Sequence, residues 1–130
     1  MTNPSPDAVS KLIPFVHVAD VQRSIDFYEL LGFDLDDTHH HEDRLDWASL
    51  SNAQARIMLA HASAPIDPNR QAILFYLYAE DLDGLRERLM AHGVAAGPIR
   101  DGTPGPDREM GLSDPDGYCL MVAESERQDD

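Results

Sequence analysis

One cysteine, one tryptophan and ten basic residues are all that this chain of 130 contains of those types. Cys119 stands alone, so no internal disulfide can form and stability must come from a buried core. No apolar run approaches the ~20 residues needed to cross a bilayer as a helix. The first residues lack the basic start and apolar block of a secretory leader, so the expected location is cytoplasmic. Lys plus Arg total 10 against 24 Asp plus Glu, a formal net charge of −14. Phosphate backbones are held by clustered Lys and Arg, which speaks against nucleic acid as a partner. The same acidity favours solubility, and it would draw in a cationic ligand.

What the chain does have is an internal repeat. Asp20, Val21, Tyr28 and Gly32 recur 61 residues later as Asp81, Leu82, Leu89 and Gly93. Each set reads as strand end, helix and glycine stop. Asp20 and Asp81 suit an N-cap, where a carboxylate accepts orphan N–H groups. Val21, Ile25, Tyr28 and Leu31 in one copy, and Leu82, Leu85 and Leu89 in the other, fall on one helical face.

Before the first helix, residues 12–18 form a β-rich run in which Pro14 removes a ladder donor and points to a sheet edge. Shorter runs follow at 33–36, 45–50 and 56–60. The second half repeats the order with 72–78, then 95–99, 108–113 and 118–123. Asp114-Pro115-Asp116-Gly117 is dense turn chemistry and predicts a hairpin between the last two strands. The expected organisation is a loose arm over 1–10, a βαβββ module over 11–62, a linker over 63–71, a second module over 72–124 and an acidic tail over 125–130. Both modules form one α+β domain, their sheets curling into a half-open mixed β-barrel with the helices outside.

The order Phe15-Val16-His17-Val18-Ala19-Asp20, Ser24 to Tyr28, Leu31-Gly32-Phe33, Tyr78 to Leu82 and Ser113 to Gly117 resembles the vicinal oxygen chelate superfamily. That group includes glyoxalase I, extradiol dioxygenases and bleomycin-resistance proteins. The resemblance covers roughly residues 11–124. It implies a metal held by a His or Gln about seven residues before each helix-capping Asp, and by a Glu four residues after the last-turn glycine. Those positions here are Ile13, Leu74 and Met121, which offer no hard donor, so no metal or other cofactor is expected. His39-His40-His41, with Glu42 and Asp43, reads as a solvated loop; adjacent residues on extended chain point apart and do not converge on one ion.

Residues two apart on a strand share a face. With Ile13 inward, Phe15 and His17 face the cavity, as do Leu74, Tyr76 and Tyr78 from the second module and Cys119, Met121 and Ala123 from the last strand. Such an apolar, aromatic lining with polar tips suits a small molecule; it would equally fill a closed core. His17 is a candidate general base, since imidazole exchanges protons near neutrality. Cys119 lacks basic neighbours and reads as an inert small hydrophobe. Trp47 is either a stacking platform or a core plug.

The candidate ligand-binding residues are therefore Phe15, His17, Trp47, Tyr76, Tyr78, Arg108, Cys119 and Met121. The missing metal ligands, the acidity and the Cys followed by Val-Ala-Glu are closest to the bleomycin-resistance subgroup. That likeness implies a homodimer with grooves at the subunit interface that sequesters an antibiotic without chemistry. Pro106 and Leu45 stand where that subgroup has stacking aromatics, which argues against bleomycin itself. Two other readings stay open: a lyase or dioxygenase of the glyoxalase kind using a divalent metal or an acid–base residue, and a non-catalytic dimeric partner domain.

Overall fold

The computed structural model describes residues 6, 7, 9, 11–101 and 108–124. The chain runs β1 (Phe15–Val18), α1 (Val21–Leu30), β2 (Asp34–His41), β3 (Arg44–Asn52), β4 (Ala55–His61), β5 (Leu74–Ala79), α2 (Leu82–Ala91), β6 (Arg100–Asp101), β7 (Arg108–Ser113) and β8 (Cys119–Glu124). The strands form two four-stranded sheets, β1-β4-β3-β2 and β5-β8-β7-β6. In each, the first strand pairs in parallel with the last and the others pair antiparallel. The repeat seen in the sequence is thus a repeat of topology. No closed barrel forms among the described residues.

Both helices start as their residues dictate. The Asp20 side chain accepts the Arg23 N–H at 3.2 Å, and Asp81 accepts that of Gly84 at 3.0 Å. Val21, Ile25 and Tyr28 of α1, and Leu82, Leu85 and Leu89 of α2, are buried. Beyond the helices, Gly32 and Gly93 take φ of +100° and +80°, the left-handed turn that lets the chain reverse into the next strand.

Alternation sets the sheet faces. Val16, Val18, Ile57, Leu59, Ala48 and Leu50 in the first sheet join the helices in the core, as do Met110, Leu112, Leu120 and Val122 in the second. The other face of each sheet carries no helix.

Several expectations change. β2 runs to His41, so the three histidines lie on a strand and not on a loop. Bulges beside Asp37 and His40 keep β2 paired with β3 along that polar stretch. The strand expected over 95–99 is the two-residue β6 at Arg100. Gly97 donates to the Gly111 carbonyl at 2.9 Å, but Pro98 has no N–H and interrupts the ladder there. The linker contains a 3-10 turn, Pro68–Arg70, capped by Asp67. The arm, apart from residues 6, 7 and 9, and the acidic tail lie outside the described residues, as does Pro106.

A clasp joins the modules. Tyr28 Oη of α1 donates to Asp114 Oδ2 at 2.8 Å, and Asp114 Oδ1 accepts the N–H groups of Asp116 and Tyr118. Asp116 accepts the Ala19 N–H at 2.9 Å and longer bonds from Ser24 and Arg23. Tyr118 Oη donates to the His17 carbonyl at 2.9 Å. The last turn of the second module thereby grips the end of β1 and the first turns of α1.

Candidate functional site: two open sheet faces

On the helix-free face of the first sheet, Phe15 and His17 of β1 stand beside Met58 and Ala60 of β4. Ala60 is opposite Trp47 of β3, and Trp47 is opposite His39 of β2. One row across four strands therefore reads His17, Ala60, Trp47, His39. Ala60, with only a methyl group, lies between His17 and Trp47 in that row. Phe15 and His17 rings meet edge-on at 5.6 Å. Trp47 is half-buried and on the same face as Phe15, which its sequence context left undecided.

The second sheet has a matching face. Leu74, Tyr76 and Tyr78 of β5 lie opposite Cys119, Met121 and Ala123 of β8, and these lie opposite Ser113, Gly111 and Glu109 of β7. Tyr76 Oη donates to Glu109 Oε2 at 2.8 Å. With β8 between the two strands, the Tyr76 ring is laid across the sheet. The Tyr78 ring centre is 5.5 Å away and tilted by 38°.

The apolar side chains of these faces are not core. Phe15 and Leu74 are each 53% exposed, Tyr76 51% and Tyr78 67%. Filling of a closed core, one of the two readings of Phe15 and Leu74, does not occur within the chain. Cys119 is likewise exposed, with a free thiol. A groove of about 370 Å³ runs between the modules, lined by Leu12, Pro14 and Arg56 on one side and by Leu74, Tyr76 and Leu77 on the other.

Of the eight candidate residues, seven thus lie on the helix-free faces: Phe15, His17 and Trp47 on one, and Tyr76, Tyr78, Cys119 and Met121 on the other. Arg108 does not join them. Its guanidinium binds Asp83 of α2 at 3.0 and 3.1 Å and Glu124 at 3.3 Å, on the helix side of β7. The bond to Arg108 holds the Asp83 carboxyl below its usual range, and the same pair raises the guanidinium above its own. Arg108 therefore ties β7 to α2. Leu45, the other position compared with an aromatic, is half-buried and opposite His40.

Glu109 was missed by sequence reasoning. Its parity with Gly111 and Ser113 was available, but its contact with Tyr76 depends on the β5–β8–β7 register, which no local pattern encodes. A divalent ion does not fit the positions that metal-dependent members use. Ile13 and Leu74 have no donor atom and Met121 has only a thioether. Among the described residues no three His, Cys, Asp or Glu side chains cluster as a metal site. Nor is any described helix long and apolar enough to cross a membrane.

Solved structures share this architecture. A bleomycin resistance determinant encoded on the transposon Tn5 superposes with a TM-score of 0.72 at 18% identity, covering 92% of this chain and 100% of that one. A bleomycin-binding protein complexed with bleomycin gives 0.71 at 18% identity, over 91% and 100%. TnmS3, an antibiotic-binding protein from Streptomyces sp. CB03234, gives 0.71 at 26% identity, over 92% and 98%. No curated protein matches the chain. The family model for the Glyoxalase/Bleomycin resistance protein/Dioxygenase superfamily matches residues 12–122. With nearly the whole domain inside that match, and with two βαβββ modules built as described, the chain belongs to the Glyoxalase/Bleomycin resistance protein/Dioxygenase superfamily.

Proposed function

We propose that this protein is a metal-independent, non-catalytic binder of a flat aromatic small molecule, and that it works as a homodimer. The observation that carries this reading is the pair of helix-free sheet faces. They expose Phe15, Leu74, Tyr76 and Tyr78 by half or more, although each is large and apolar or aromatic. Exposed apolar surface of this kind marks an interaction site. Aromatic faces bind flat rings by offset stacking, worth about 0.5–1.5 kcal/mol per pair beyond burial. The net charge of −14 favours a ligand that carries positive charge. The antibiotic-binding proteins of the same fold support sequestration as the role.

The repeat supports the dimer. In this reading the first sheet's open face supplies half of a cavity and the second's supplies the other half. A two-fold axis that sets the first face of one copy on the second face of the other makes two equivalent cavities. Titration of the purified protein with bleomycin and a panel of other cationic aromatics, followed by Trp47 fluorescence and calorimetry, tests the binding. Saturable quenching with one site per chain is the expected result. No response across the panel would sink the reading, as would turnover of a glyoxalase or dioxygenase substrate that depends on an added divalent metal.

A further inference from the structure

The second sheet's open face ends in a pocket of about 370 Å³ whose lining includes Arg100, Asp101, Glu109, Gly111 and Met121. Three features make it selective. The Tyr76 phenol occupies Oε2 of Glu109, and no other side-chain bond reaches this carboxylate among the described residues. Oε1 is left to accept. Arg100 is directly opposite Glu109 in the β6–β7 register, yet it makes no ion pair among the described residues. Its N–H groups are left to donate. Gly111 has no side chain, so the floor between the Tyr76 ring and β6 stays open, with Met121 as its apolar base.

We propose that this pocket reads the edge of the bound aromatic. Glu109 accepts from a ring N–H or amino group, while Arg100 donates to a carbonyl or anionic oxygen beside it. The ligand class is then a planar aromatic carrying a donor and an acceptor at adjacent edge positions, such as a lactam or a ring amide. A ligand with positive charge alone meets Glu109 favourably but is opposed by Arg100, so net charge does not by itself select it. Tyr76 is a positioning residue: its hydroxyl fixes the Glu109 rotamer, and its ring presents the stacking face. This assignment rests on the aromatic-binding reading of the same face.

Two probes separate the claims. Quinoline is flat and neutral at pH near 7 and has no donor; quinolin-2(1H)-one has the same ring size with an N–H next to a carbonyl. In ligand-observed NMR titrations of the full chain, quinolin-2(1H)-one is expected to bind roughly tenfold more tightly, the worth of one hydrogen bond to a charged group. In Glu109→Gln that ratio should fall to about twofold or less with quinoline binding retained, whereas Arg100→Ala should weaken both probes, because the quinoline nitrogen and the quinolinone oxygen both accept from Arg100. In Tyr76→Phe quinoline should still bind while the ratio falls. Equal affinity of the two probes for the wild-type protein, a preference that survives Glu109→Gln, or binding of both probes that Arg100→Ala leaves unchanged would overturn the edge-reading assignment and leave the aromatic face standing. Absence of binding by either probe would remove both.

Discussion

At the scale of single residues, the clasp is the most exposed to test. Asp114 and Asp116 are 5% and 2% exposed, and all buried side-chain polar atoms among the described residues have partners. Tyr28 Oη is the donor that balances Asp114 Oδ2. Burial and the adjacent carboxylates push the Tyr28 phenol far above its usual range, so it stays a donor at every working pH. Removing it in Tyr28→Phe leaves a buried carboxylate oxygen without its donor. The expected loss is about 2–3 kcal/mol, read as a lower urea midpoint with an unchanged slope. The pH dependence follows from Asp114. Desolvation raises its carboxyl above its ordinary value of 3.8, against the lowering effect of the bonds from Tyr28, Tyr118 and Asp116. A folded-state value above the unfolded one means that the native state binds the proton more tightly. The cost of ionising Asp114 is absent below pH 3.8 and grows as pH rises toward its folded value. Asp114→Asn has no such group. The stability of wild type relative to Asp114→Asn should therefore increase as pH is lowered from neutrality toward the ordinary carboxylate value; a difference that is flat with pH would refute the assignment. Asp114-Pro115-Asp116-Gly117 is visible in the sequence as a turn, and it is one. That its two carboxylates also hold α1 and the end of β1 was not legible, because their partners lie 86 to 97 residues away.

The elements were legible where local chemistry decides them. Helix caps, helix faces and strand parity are fixed within a few residues, and both helices and the Cys119–Leu74 face follow them. The ends of β2 and β6 were not. β2 continues through a polar stretch because β3 offers a paired edge, and β6 shrinks because Pro98 cannot donate. Turn geometry gives the element-scale prediction. The β3–β4 hairpin turns at Ala53 with φ of +53° and the β2–β3 hairpin at Glu42 with +56°. An L-residue in that region costs roughly 1–2 kcal/mol through its Cβ. Ala53→Gly should thus raise stability by about 0.5–1 kcal/mol after the added chain entropy of glycine, measured as a higher thermal midpoint. Gly117→Ala should do the reverse, and more strongly. Gly117 has φ of +86°, and a Cβ there would collide with the Pro68 backbone of the linker. A loss of several kcal/mol, about that of a large core defect, is expected. Equal effects of the two substitutions would contradict this account of the turns.

For the whole molecule, the opposing quantities are apolar surface and charge. The repeat was legible as a fold from the 61-residue offset, and the matching sheets express it. The relation between the two open faces was not, since a sequence periodic within one chain does not say whether its modules close on each other or on a second copy. The exposure of Leu74, Tyr76 and Tyr78 favours a second copy as the cover. Against it stands a charge of −14 on each subunit, which repels at long range and is screened within about 10 Å at 0.1 M salt. The proposed dimer should therefore tighten as salt is raised, opposite to an assembly held by ion pairs. Sedimentation equilibrium is expected to show a dimer whose dissociation constant falls several-fold between about 0.02 and 0.5 M NaCl. Tyr78→Glu with Leu74→Glu puts like charge on the same apolar face and should give a folded monomer at all salt concentrations, with its circular dichroism retained. A wild-type chain that stays monomeric at high salt and high concentration would remove the second copy from the site, leaving each open face to bind its ligand alone.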